Sequence, residues 1–419
     1  MNRHALDTFP FFAILLGMEE MSLKEGISLV KRYNKMTPKE RDQIKRQRFY
    51  AMVTFARKHN PLYANLYKNL GVNFFMRDVP YVERDYLIAN KKEWLSDETV
   101  SMPVNEAINT VRSFSYDSDY ARFLLHGSRY VIISSTDGAL QQAAWSKSTS
   151  VLSVFLPINE MVLKLNELRP AFLWAYPSTL EKLLEQKRLG TLSISPVLII
   201  AGGESLSDEL RASLIDAFDS TVQATYSSAE FGIVASECQM GHLHVNDDWI
   251  IIEKADVNGK PCAEGEEPDK ILITNMYKTD YPIIRMTLPD SVYIHDKICP
   301  CGNPSPWISI TSAKDDIIRF TADNGEDVSI HTDEFSSVLK DVKGLTGYQI
   351  LIYANNSISV RMEVGDDSLK GILFLQAEQI IRRFLKDKKI TASTITLDAD
   401  TPLRNEQSGK LKNVLDCRD

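Results

Sequence analysis

The segment 197–225 constrains the fold more than any other part of the sequence. It begins with the apolar run Val197–Ala201, turns at Gly202-Gly203, continues as an amphipathic helix and reaches a second apolar run at Thr221–Thr225. Apolar residues recur in the helical stretch at the spacing of one inward-facing side. This side comprises Leu210, Leu214, Ile215 and Phe218. A strand, a glycine turn, a helix and a further strand are typical of a parallel sheet, so the segment predicts an α/β fold.

Two domains are predicted, one on each side of residue 315. Apolar residues at helical spacing extend over residues 22–68, and strand patterns dominate after residue 248. Near residue 316 the pattern changes to a hairpin that turns at Asn355-Asn356, a helix over Ser368–Lys386 and a final strand at Thr394–Leu397. We therefore expect a large N-terminal α/β domain over residues 1–315 and a small C-terminal α+β domain over residues 316–419.

Charge and hydropathy exclude several classes of partner. The chain has 419 residues and a net charge of −8 at pH 7, which provides no field for holding DNA, RNA or an anionic membrane. The apolar stretch Phe9–Met18 is far too short to span a bilayer. We expect a cytoplasmic protein that binds no nucleic acid. In it, Phe9–Met18 forms a buried element, and the basic run Lys45, Arg46 and Arg48 forms a solvated helix face.

Four of the five cysteines cluster in the third quarter of the chain. Three of them, Cys238, Cys299 and Cys301, combine with His244 in the spacings C-x5-H and C-x-C. Three thiolates and an imidazole suit tetrahedral Zn²⁺, and four protein ligands would make the site closed and structural. The spacing differs from that of the usual zinc fingers, so the sequence by itself leaves buried free cysteines as an equal alternative. His242 is a competing ligand.

Six short motifs follow one another along the chain. They are the entry helix at Leu66–Gly71, DVPYVERDYL at Asp78–Leu87, YPSTLEKL at Tyr176–Leu183, AGGESL at Ala201–Leu206, YSSAEFG at Tyr226–Gly232 and RNEQSGKLKNV at Arg404–Val414. In this order and spacing, the chain resembles the adenylate-forming (ANL) superfamily from about residue 40 to residue 419. Within the superfamily it is similar to the branch that contains phenylacetate-coenzyme A ligase-like and capsule-biosynthesis CapK-like proteins.

The resemblance implies a site for ATP and Mg²⁺ built from polar turns. The residues that it assigns to the nucleotide outside the phosphate loop are Gly202, Gly203, Glu204, Tyr226, Ser227 and Asp290. The two glycines and Glu204 would line the adenine pocket, and Tyr226 would cover the base. Asp290 would accept the two ribose hydroxyls, as suits an ionised carboxylate.

Two further residues receive catalytic roles from the resemblance. Glu230 would help to hold Mg²⁺ on the phosphates. Lys410, in the C-terminal SGK, would contact the carboxylate and the α-phosphate oxygens as negative charge moves during adenylation. The C-terminal domain that carries Lys410 is expected to be mobile, with a hinge near Asp316.

The stretch VIISSTDGAL, residues 131–140, corresponds to the superfamily's phosphate loop. Ser134, Thr136 and Gly138 would contact the phosphates. Ser135 replaces a glycine of the usual S-G-T-T-G form, and Asp137 brings a negative charge to an anion site. After Gly138 the chain also lacks several dozen residues that the superfamily normally has, which implies a reduced N-terminal domain.

The resemblance extends to the cysteine cluster. Members of this branch carry a zinc site at the corresponding positions, which implies that Cys238, His244, Cys299 and Cys301 are the ligands and that His242 is not. The zinc would join the loop after YSSAEFG to the loop before the hinge, within a subregion at about residues 238–301.

The resemblance implies a ligase that activates a small carboxylic acid as its acyl-adenylate and transfers the acyl group to coenzyme A or an acyl-carrier protein. Two alternatives remain open. The altered phosphate loop favours a catalytically degenerate relative that acts as a binding or scaffold protein, and a third interpretation is an acyltransferase that works without ATP. A second copy of the chain, or another partner chain, is expected to cover the surface left by the shortening.

Overall fold

The computed structural model describes residues 23–96, 129–135, 149–228, 231–262, 266–277, 279–288, 290–295, 297–313, 317–340, 342–406 and 409–418. The chain divides into two compact units, Met1–Thr311 and Ser312–Asp419. No helix within the described ranges has the length and apolarity needed to cross a membrane. The predicted element at Phe9–Met18 lies outside these ranges.

The helices of the described chain are numbered here in chain order. They are α1 (Leu23–Asn34), α2 (Pro38–His59), α3 (Pro61–Leu66), α4 (Arg84–Ala89), α5 (Lys91–Trp94), α6 (Ile158–Leu168), α7 (Pro177–Arg188), α8 (Asp208–Phe218), α9 (Thr332–Ser337) and α10 (Lys370–Asp387).

The strands are numbered in the same way. In the first unit and up to its boundary they are β1 (Tyr130–Ser134), β2 (Thr149–Ser153), β3 (Phe172–Ala175), β4 (Leu198–Gly202), β5 (Thr221–Ser228), β6 (Gly232–Glu237), β7 (Leu243–Val245), β8 (Ile250–Ala255), β9 (Lys270–Asn275), β10 (Ile283–Thr287), β11 (Asp290–His295) and β12 (Trp307–Ala313). In the second unit they are β13 (Ile317–Thr321), β14 (Asp327–His331), β15 (Leu345–Tyr353), β16 (Ser357–Val364), β17 (Ile395–Leu397) and β18 (Val414–Asp416).

A nine-stranded mixed sheet forms the centre of the first unit, in the order β11-β12-β7-β6-β5-β4-β3-β1-β2. Its half from β2 to β5 is parallel, and the pairs β5–β6, β6–β7 and β7–β12 are antiparallel. Helices α6, α7 and α8 connect successive parallel strands, so the segment 197–225 forms the predicted strand, turn, helix and strand. The predicted fold class is confirmed: a large mixed α/β sheet with a separate small C-terminal sheet.

The apolar sides of α6, α7 and α8 pack with the parallel strands in one core. In α8, Leu214 and Phe218 are fully buried, whereas Ile215 is 45% exposed. The prediction that Ile215 faces inward is therefore wrong. Adjacent helical residues point roughly 100° apart, so Leu214 and Ile215 cannot both point at the centre of a narrow contact. Ser207 caps the helix, because its side chain accepts the N–H of Leu210.

The N-terminal helices pack on a second, three-stranded sheet in the order β10-β9-β8. Their core contains Phe49, Met52 and Val53 of α2 together with apolar residues of β8, β9 and β10. Helix α2 begins at a capping box between Thr37 and Glu40 and ends at Asn60, directly before Pro61. The helix ends there because the residue before a proline disfavours the helical conformation, and Asn60 has the extended φ of −125°.

Asp247 is the buried carboxylate that fixes helix α2 to the rest of the unit. Its Oδ1 accepts hydrogen bonds from Arg41 Nη2 and from Ser305 Oγ, each at 2.7 Å, and Lys45 Nζ lies 2.7 Å from its Oδ2. Burial by itself would raise the pKa of Asp247, but Lys45 and Arg41 together hold that pKa below its usual value. The ionised carboxylate therefore joins α2 to the turn after β7.

The prediction of a solvated basic run is wrong for two of its three residues. Lys45 is paired with Asp247, and the guanidinium of the buried Arg48 lies 3.7 Å from the centre of the Trp249 ring. Arg48 also donates to the carbonyl of Asp248. Arg46 alone is solvated, in an exposed pair with Asp42. The acceptors lie about 200 residues away, so the local charge pattern gave no sign of them.

The second unit is built on the hairpin of β15 and β16. The two strands pair antiparallel from Tyr353 and Ser357 to Leu345 and Val364. Asn355 and Asn356 turn the chain with φ of 56° and 54°, a left-handed conformation that asparagine tolerates better than most residues. Helix α10 covers this sheet with one apolar side. The buried residues of that side are Leu373, Ala377, Ile381 and Leu385.

The predicted final strand near Thr394 is not the last one. It forms as β17 and pairs parallel with β16, but β18 follows it and pairs parallel with β15. Only Val414 of the three residues in β18 is buried. A strand this short shows no alternation of apolar residues, so its sequence did not predict it.

We expect Asp247→Asn to lower the free energy of unfolding by about 3–5 kcal/mol, because it leaves Arg41 buried without a counter-charge. Urea unfolding at pH 7 measures this loss. The exposed Asp42→Asn, which breaks the pair with Arg46, is the matched control and should cost within about 0.5 kcal/mol. Equal losses in the two variants would contradict the role of Asp247.

The difference in free energy of unfolding between wild type and Asp247→Asn is expected to depend on pH. The folded pKa of Asp247 lies below its unfolded value, so its contribution is fully present above about pH 3.9 and is lost as the pH falls through the folded pKa. The difference between wild type and Asp247→Asn should therefore persist near neutral pH and narrow below about pH 3.9.

Candidate active site and metal centre

The carboxyl ends of the parallel strands form one row of residues. In the pairing register, Ile132 is level with Trp174, Trp174 with Ile200, and Gly202 with Thr225. Ile132, Trp174 and Ile200 belong to β1, β3 and β4. The residues two positions after them, Ser134, Tyr176 and Gly202, therefore lie side by side at the ends of these strands. The sequence-predicted residues Ser134 and Gly202 thus share one edge of the sheet, with Gly203 and Tyr226 one position beyond.

This edge contains the point at which the strand order reverses. The chain leaves β1 toward β2 on one side, and it leaves β3 toward β4 on the other side. In open α/β sheets, ligands bind in the crevice outside such a point, at the carboxyl ends of the strands. Ser134, at the end of β1, and the turn at Tyr176-Pro177 lie at this edge. The topology therefore makes the carboxyl edge at Ser134 a candidate ligand site.

Gly202 and Gly203 serve two different purposes in the turn after β4. A Cβ atom on Gly202 would lie 2.7 Å from Trp174 Cζ2, so any side chain there would displace the indole ring. Gly203 has φ of 81°, which L-residues with a side chain rarely adopt. No sequence pattern predicted that Trp174 packs on Gly202.

Glu204 ties the same turn to the next helix. Its Oε2 accepts the N–H of Ser178, in the first turn of α7, at 2.9 Å. An acidic side chain at the N-terminus of a helix satisfies a backbone donor and interacts favourably with the helix dipole. The backbone of the predicted adenine pocket is thus held by a side chain of the AGGESL motif itself.

Tyr226 and Asp290 are in direct contact. The Tyr226 hydroxyl donates a hydrogen bond to Asp290 Oδ2, although the two residues are 64 positions apart. Both are half-buried, Tyr226 near the end of β5 and Asp290 at the start of β11. Ser227 follows Tyr226 at a register shift in the pairing of β5 with β6. An aromatic ring beside a half-buried carboxylate offers a stacking surface and a bidentate acceptor at one place.

Hydrogen bonds from Tyr277 and Asn275 fix the residue that ends the turn between β5 and β6. The carbonyl of Phe231 accepts hydrogen bonds from the Tyr277 hydroxyl at 2.7 Å and from Asn275 Nδ2 at 2.9 Å. Gly232 has φ of 71°, and a Cβ there would lie 2.5 Å from the Tyr277 hydroxyl oxygen. Glu230 itself lies outside the described residues, so its role in holding Mg²⁺ stays a prediction.

The predicted phosphate loop is described only at its start. Ser134 ends β1 and is 2% exposed. Thr136, Asp137 and Gly138 lie outside the described residues, and so does the segment that follows them. Their contacts with phosphate and the predicted shortening of the domain therefore stay predictions.

Lys410 belongs to the second compact unit, between β17 and β18. Its side chain is half-buried, and its backbone carbonyl accepts the N–H of Asn405 at 2.9 Å. The catalytic role that the resemblance assigned to it stays a prediction.

The structure brings the four predicted metal ligands together. Cys238 follows β6, His244 lies in β7, and Cys299 and Cys301 lie between β11 and β12. All four ligand atoms lie within 4.8 Å of one another. The sulfurs of Cys238 and Cys299 are 3.8 Å apart, and the Cys301 sulfur is 3.3 Å from His244 Nε2. Tetrahedral Zn²⁺ with Zn–S bonds of about 2.3 Å would hold two sulfurs about 3.8 Å apart, so the donor set fits zinc.

Backbone groups next to the cluster orient the His244 ring and donate hydrogen bonds to the three sulfurs. His244 Nδ1 lies 2.9 Å from the carbonyl of Ser305, which suits a donating N–H there and leaves Nε2 facing the cluster as an acceptor. Each sulfur also lies near the backbone N–H two residues ahead: Met240 for Cys238, Cys301 for Cys299, and Asn303 for Cys301. Such donors stabilise thiolates.

The thiol of Cys301 resists ionisation when no cation is bound. Burial, together with the neighbouring thiols of Cys299 and Cys238, raises the pKa of Cys301 to about 12. A bound cation reverses this effect, because a coordinating thiol loses its proton to the metal's charge. The four ligand atoms therefore have the arrangement that a metal ion could occupy.

His242, the competing ligand, lies beside the cluster. Its Nδ1 is 3.1 Å from the Cys299 sulfur, and its ring stacks on Trp307 with ring centres 3.9 Å apart. His295 stacks against Trp307 as well, at 3.4 Å. The group whose ligand atoms lie within 4.8 Å of one another contains His244, and its role as the fourth ligand stays a prediction.

Comparison with solved structures identifies the class of fold. A 2-hydroxyisobutyryl-CoA ligase, solved in the postadenylation state with 2-HIB-AMP, superposes with a TM-score of 0.64 at 17% identity, over 92% of this chain and 91% of the ligase. The same ligase with 2-HIB-AMP and CoA, in the thioesterification state, gives 0.53 at 18% identity, over 93% and 92%. This chain has the fold of the adenylate-forming superfamily, as its sequence motifs predicted.

Comparison with characterised sequences adds a distant relative from the predicted branch. The protein CapK of Staphylococcus aureus is 25% identical over 137 residues, which are 32% of this chain and 29% of CapK. The match thus spans less than a third of CapK. No protein-family model matches the chain.

We expect the purified protein to contain about one zinc ion per chain, and Cys299→Ser to weaken zinc binding by more than about 100-fold because it removes a ligand. Elemental analysis and competition with a chromogenic chelator measure both quantities. Cys262→Ser, at a cysteine outside the cluster, is the control and should keep the metal. A wild-type protein without zinc, or full occupancy in Cys299→Ser, would contradict the assignment.

Proposed function

We propose that the protein is an ATP-dependent ligase that activates a carboxylic acid as its acyl-adenylate and passes the acyl group to a thiol of coenzyme A or a carrier protein. The observation that carries this proposal is the contact between Tyr226 and Asp290 at the carboxyl edge of the sheet, beside Gly202 and Gly203. An aromatic ring and a carboxylate at that place suit the base and the ribose of a nucleotide.

The proposal assigns a separate task to each group of residues. The glycine turn and Tyr226 bind the adenine, Asp290 accepts the ribose hydroxyls, and Ser134 begins the loop that contacts the phosphates. Lys410 neutralises the carboxylate and the α-phosphate. Mg²⁺, which Glu230 would help to hold, neutralises phosphate charge when it is bound. The division at residues 315 and 316, with a mobile C-terminal domain, is part of the same proposal.

The chemistry explains why cationic groups are needed. A carboxylate oxygen attacks the α-phosphorus, the bond from that phosphorus to the bridging oxygen breaks, and pyrophosphate leaves with the electron pair. In the second step a thiol sulfur attacks the acyl carbon and AMP leaves. The first step brings two anions together, so catalysis rests on positioning and on charge neutralisation.

The matched ligase supports the reaction class and leaves the acid open. It is solved with an acyl-AMP and with CoA, the intermediate and the thiol of the two steps. Its acid, 2-hydroxyisobutyrate, is therefore one member of the panel to be tested with this protein. The zinc site would be structural, because all four of its ligands come from the protein.

We expect acid-dependent exchange of pyrophosphate into ATP with Mg²⁺, for at least one member of a panel of aryl, short-chain, 2-hydroxy and amino acids. Lys410→Ala should slow this exchange by about 100- to 1,000-fold, because it removes a cation that meets charge developing in the transition state. Lys412→Ala, two residues along the same loop, is the matched control and should keep the rate. Absence of exchange together with absence of ATP binding in calorimetry would favour the catalytically degenerate relative instead.

Asp290→Asn should raise the KM for ATP by about 10- to 100-fold, because charged hydrogen bonds to the ribose are replaced by weaker ones. It should also reduce the preference for ATP over 2′-deoxyATP, which steady-state kinetics with the two nucleotides can measure. Tyr226→Phe, which keeps the ring and removes the hydroxyl, should have the smaller effect. An unchanged nucleotide preference in Asp290→Asn would remove Asp290 from the ribose site.

A further inference from the structure

Gln349 is a buried amide in the middle of the apolar strand β15. It is 1% exposed, and Ile350, Leu351 and Ile352 after it are also buried. A buried amide in such a strand costs stability unless its donors and acceptors are all paired. The partners of Gln349 therefore indicate why the residue is there.

The amide of Gln349 closes the base of the loop that carries Lys410. Its Nε2 donates to the carbonyl of Leu403 at 3.0 Å and to the carbonyl of Lys412 at 2.9 Å. Its Oε1 accepts from the N–H of Leu403 at 3.3 Å and from Arg361 Nη1 at 3.0 Å. These bonds use both donors and both lone pairs of the amide. One side chain thus joins the two ends of the loop.

The loop is also bonded within itself on both sides of Lys410. The carbonyl of Lys410 accepts from the N–H of Asn405 at 2.9 Å, and the N–H of Gly409 donates to the carbonyl of Asn405 at 2.8 Å. Arg404 Nη1 donates to the carbonyl of Gly409 at 3.1 Å. Gly409 has φ of 68°, which favours glycine directly before the lysine. The backbone at Lys410 is therefore held in one conformation that rests on the closed base.

We propose that Gln349 is a positioning residue for Lys410, which it presents in one place by clamping Leu403 and Lys412. This inference rests on the proposed function, in which Lys410 acts in adenylation. A displacement of about 1 Å in a catalytic group can cost about 100-fold in rate, so a clamp at the base of the loop affects turnover without touching substrate.

Limited proteolysis tests the clamp without any assay of activity. Gln349→Met fills the same space and removes all the amide's hydrogen bonds. Trypsin should cleave after Arg404, Lys410 or Lys412 at least about 10-fold faster in this variant, at a temperature where the protein stays folded, because local opening of the loop exposes its backbone. Tyr348→Phe is the control and should keep the wild-type cleavage rate. Tyr348 precedes Gln349 in β15, and this substitution removes only the hydrogen bond from its hydroxyl to the carbonyl of Ser336. If Gln349→Met does not fold, Gln349→Asn keeps an amide that is too short to reach both carbonyls and takes its place.

Pyrophosphate exchange in a double-mutant cycle tests the catalytic consequence, with the acids of the panel above as probes. Gln349→Met should lower kcat by about 10- to 100-fold and leave the KM for ATP unchanged. In the Lys410→Ala background the same substitution should cause no further loss, because the lysine that it positions is absent. A general weakening of the fold would instead lower both backgrounds alike.

The outcomes separate the inference from the proposed function. Faster cleavage of the loop, together with a loss of kcat that disappears in the Lys410→Ala background, supports the positioning role. Unchanged cleavage, or an equal loss in both backgrounds, overturns it. A wild-type protein that shows no exchange with any acid overturns the proposed function and the catalytic role of Gln349, and the cleavage result then reports on the clamp alone.

Discussion

The shared edge of five parallel strands is the constraint on which the candidate site depends. Parallel strands connected by helices must all end at the same side of their sheet, so Ser134, Tyr176 and Gly202 become neighbours although they are far apart in the chain. The reversal of strand order lies between β1 and β3, and ligands of open α/β sheets bind at the carboxyl edge beside such a reversal. In a sheet whose strands alternated in direction, the turns after successive strands would lie at opposite edges.

The antiparallel half of the sheet is stabilised in a different way, through a buried charge network beside the candidate metal cluster. Ser305 connects its two polar centres: its carbonyl lies 2.9 Å from Nδ1 of the candidate ligand His244, and its hydroxyl donates to Asp247. Asp247 in turn holds Arg41 and Lys45 of helix α2. The cysteine cluster, the turn after β7 and helix α2 thus form one continuous network. A change in the cluster can therefore affect the packing of residues that are remote from it in sequence.

The sequence predicted those features that leave a local or repetitive signal. The glycine turn, the helix after it, the hairpin at Asn355-Asn356 and the grouping of His244 with three cysteines all form as expected. The features that it did not predict depend on partners distant in the chain. Lys45 and Arg48 looked solvated because their acceptors lie about 200 residues away.

Long-range partners also explain the remaining differences. β18 has too few residues for a pattern and exists because it pairs with β15. Gln349 carried one faint signal, a polar side chain in an otherwise apolar strand, but the segment that it binds is 54 to 63 residues further on. The hairpin joins residues that are close in sequence, whereas β18 and the base of the Lys410 loop join residues far apart. Loop-closure entropy makes the local pairing the earlier event in folding. A refolding chain is therefore expected to complete the hairpin first and to order the segment around Lys410 last.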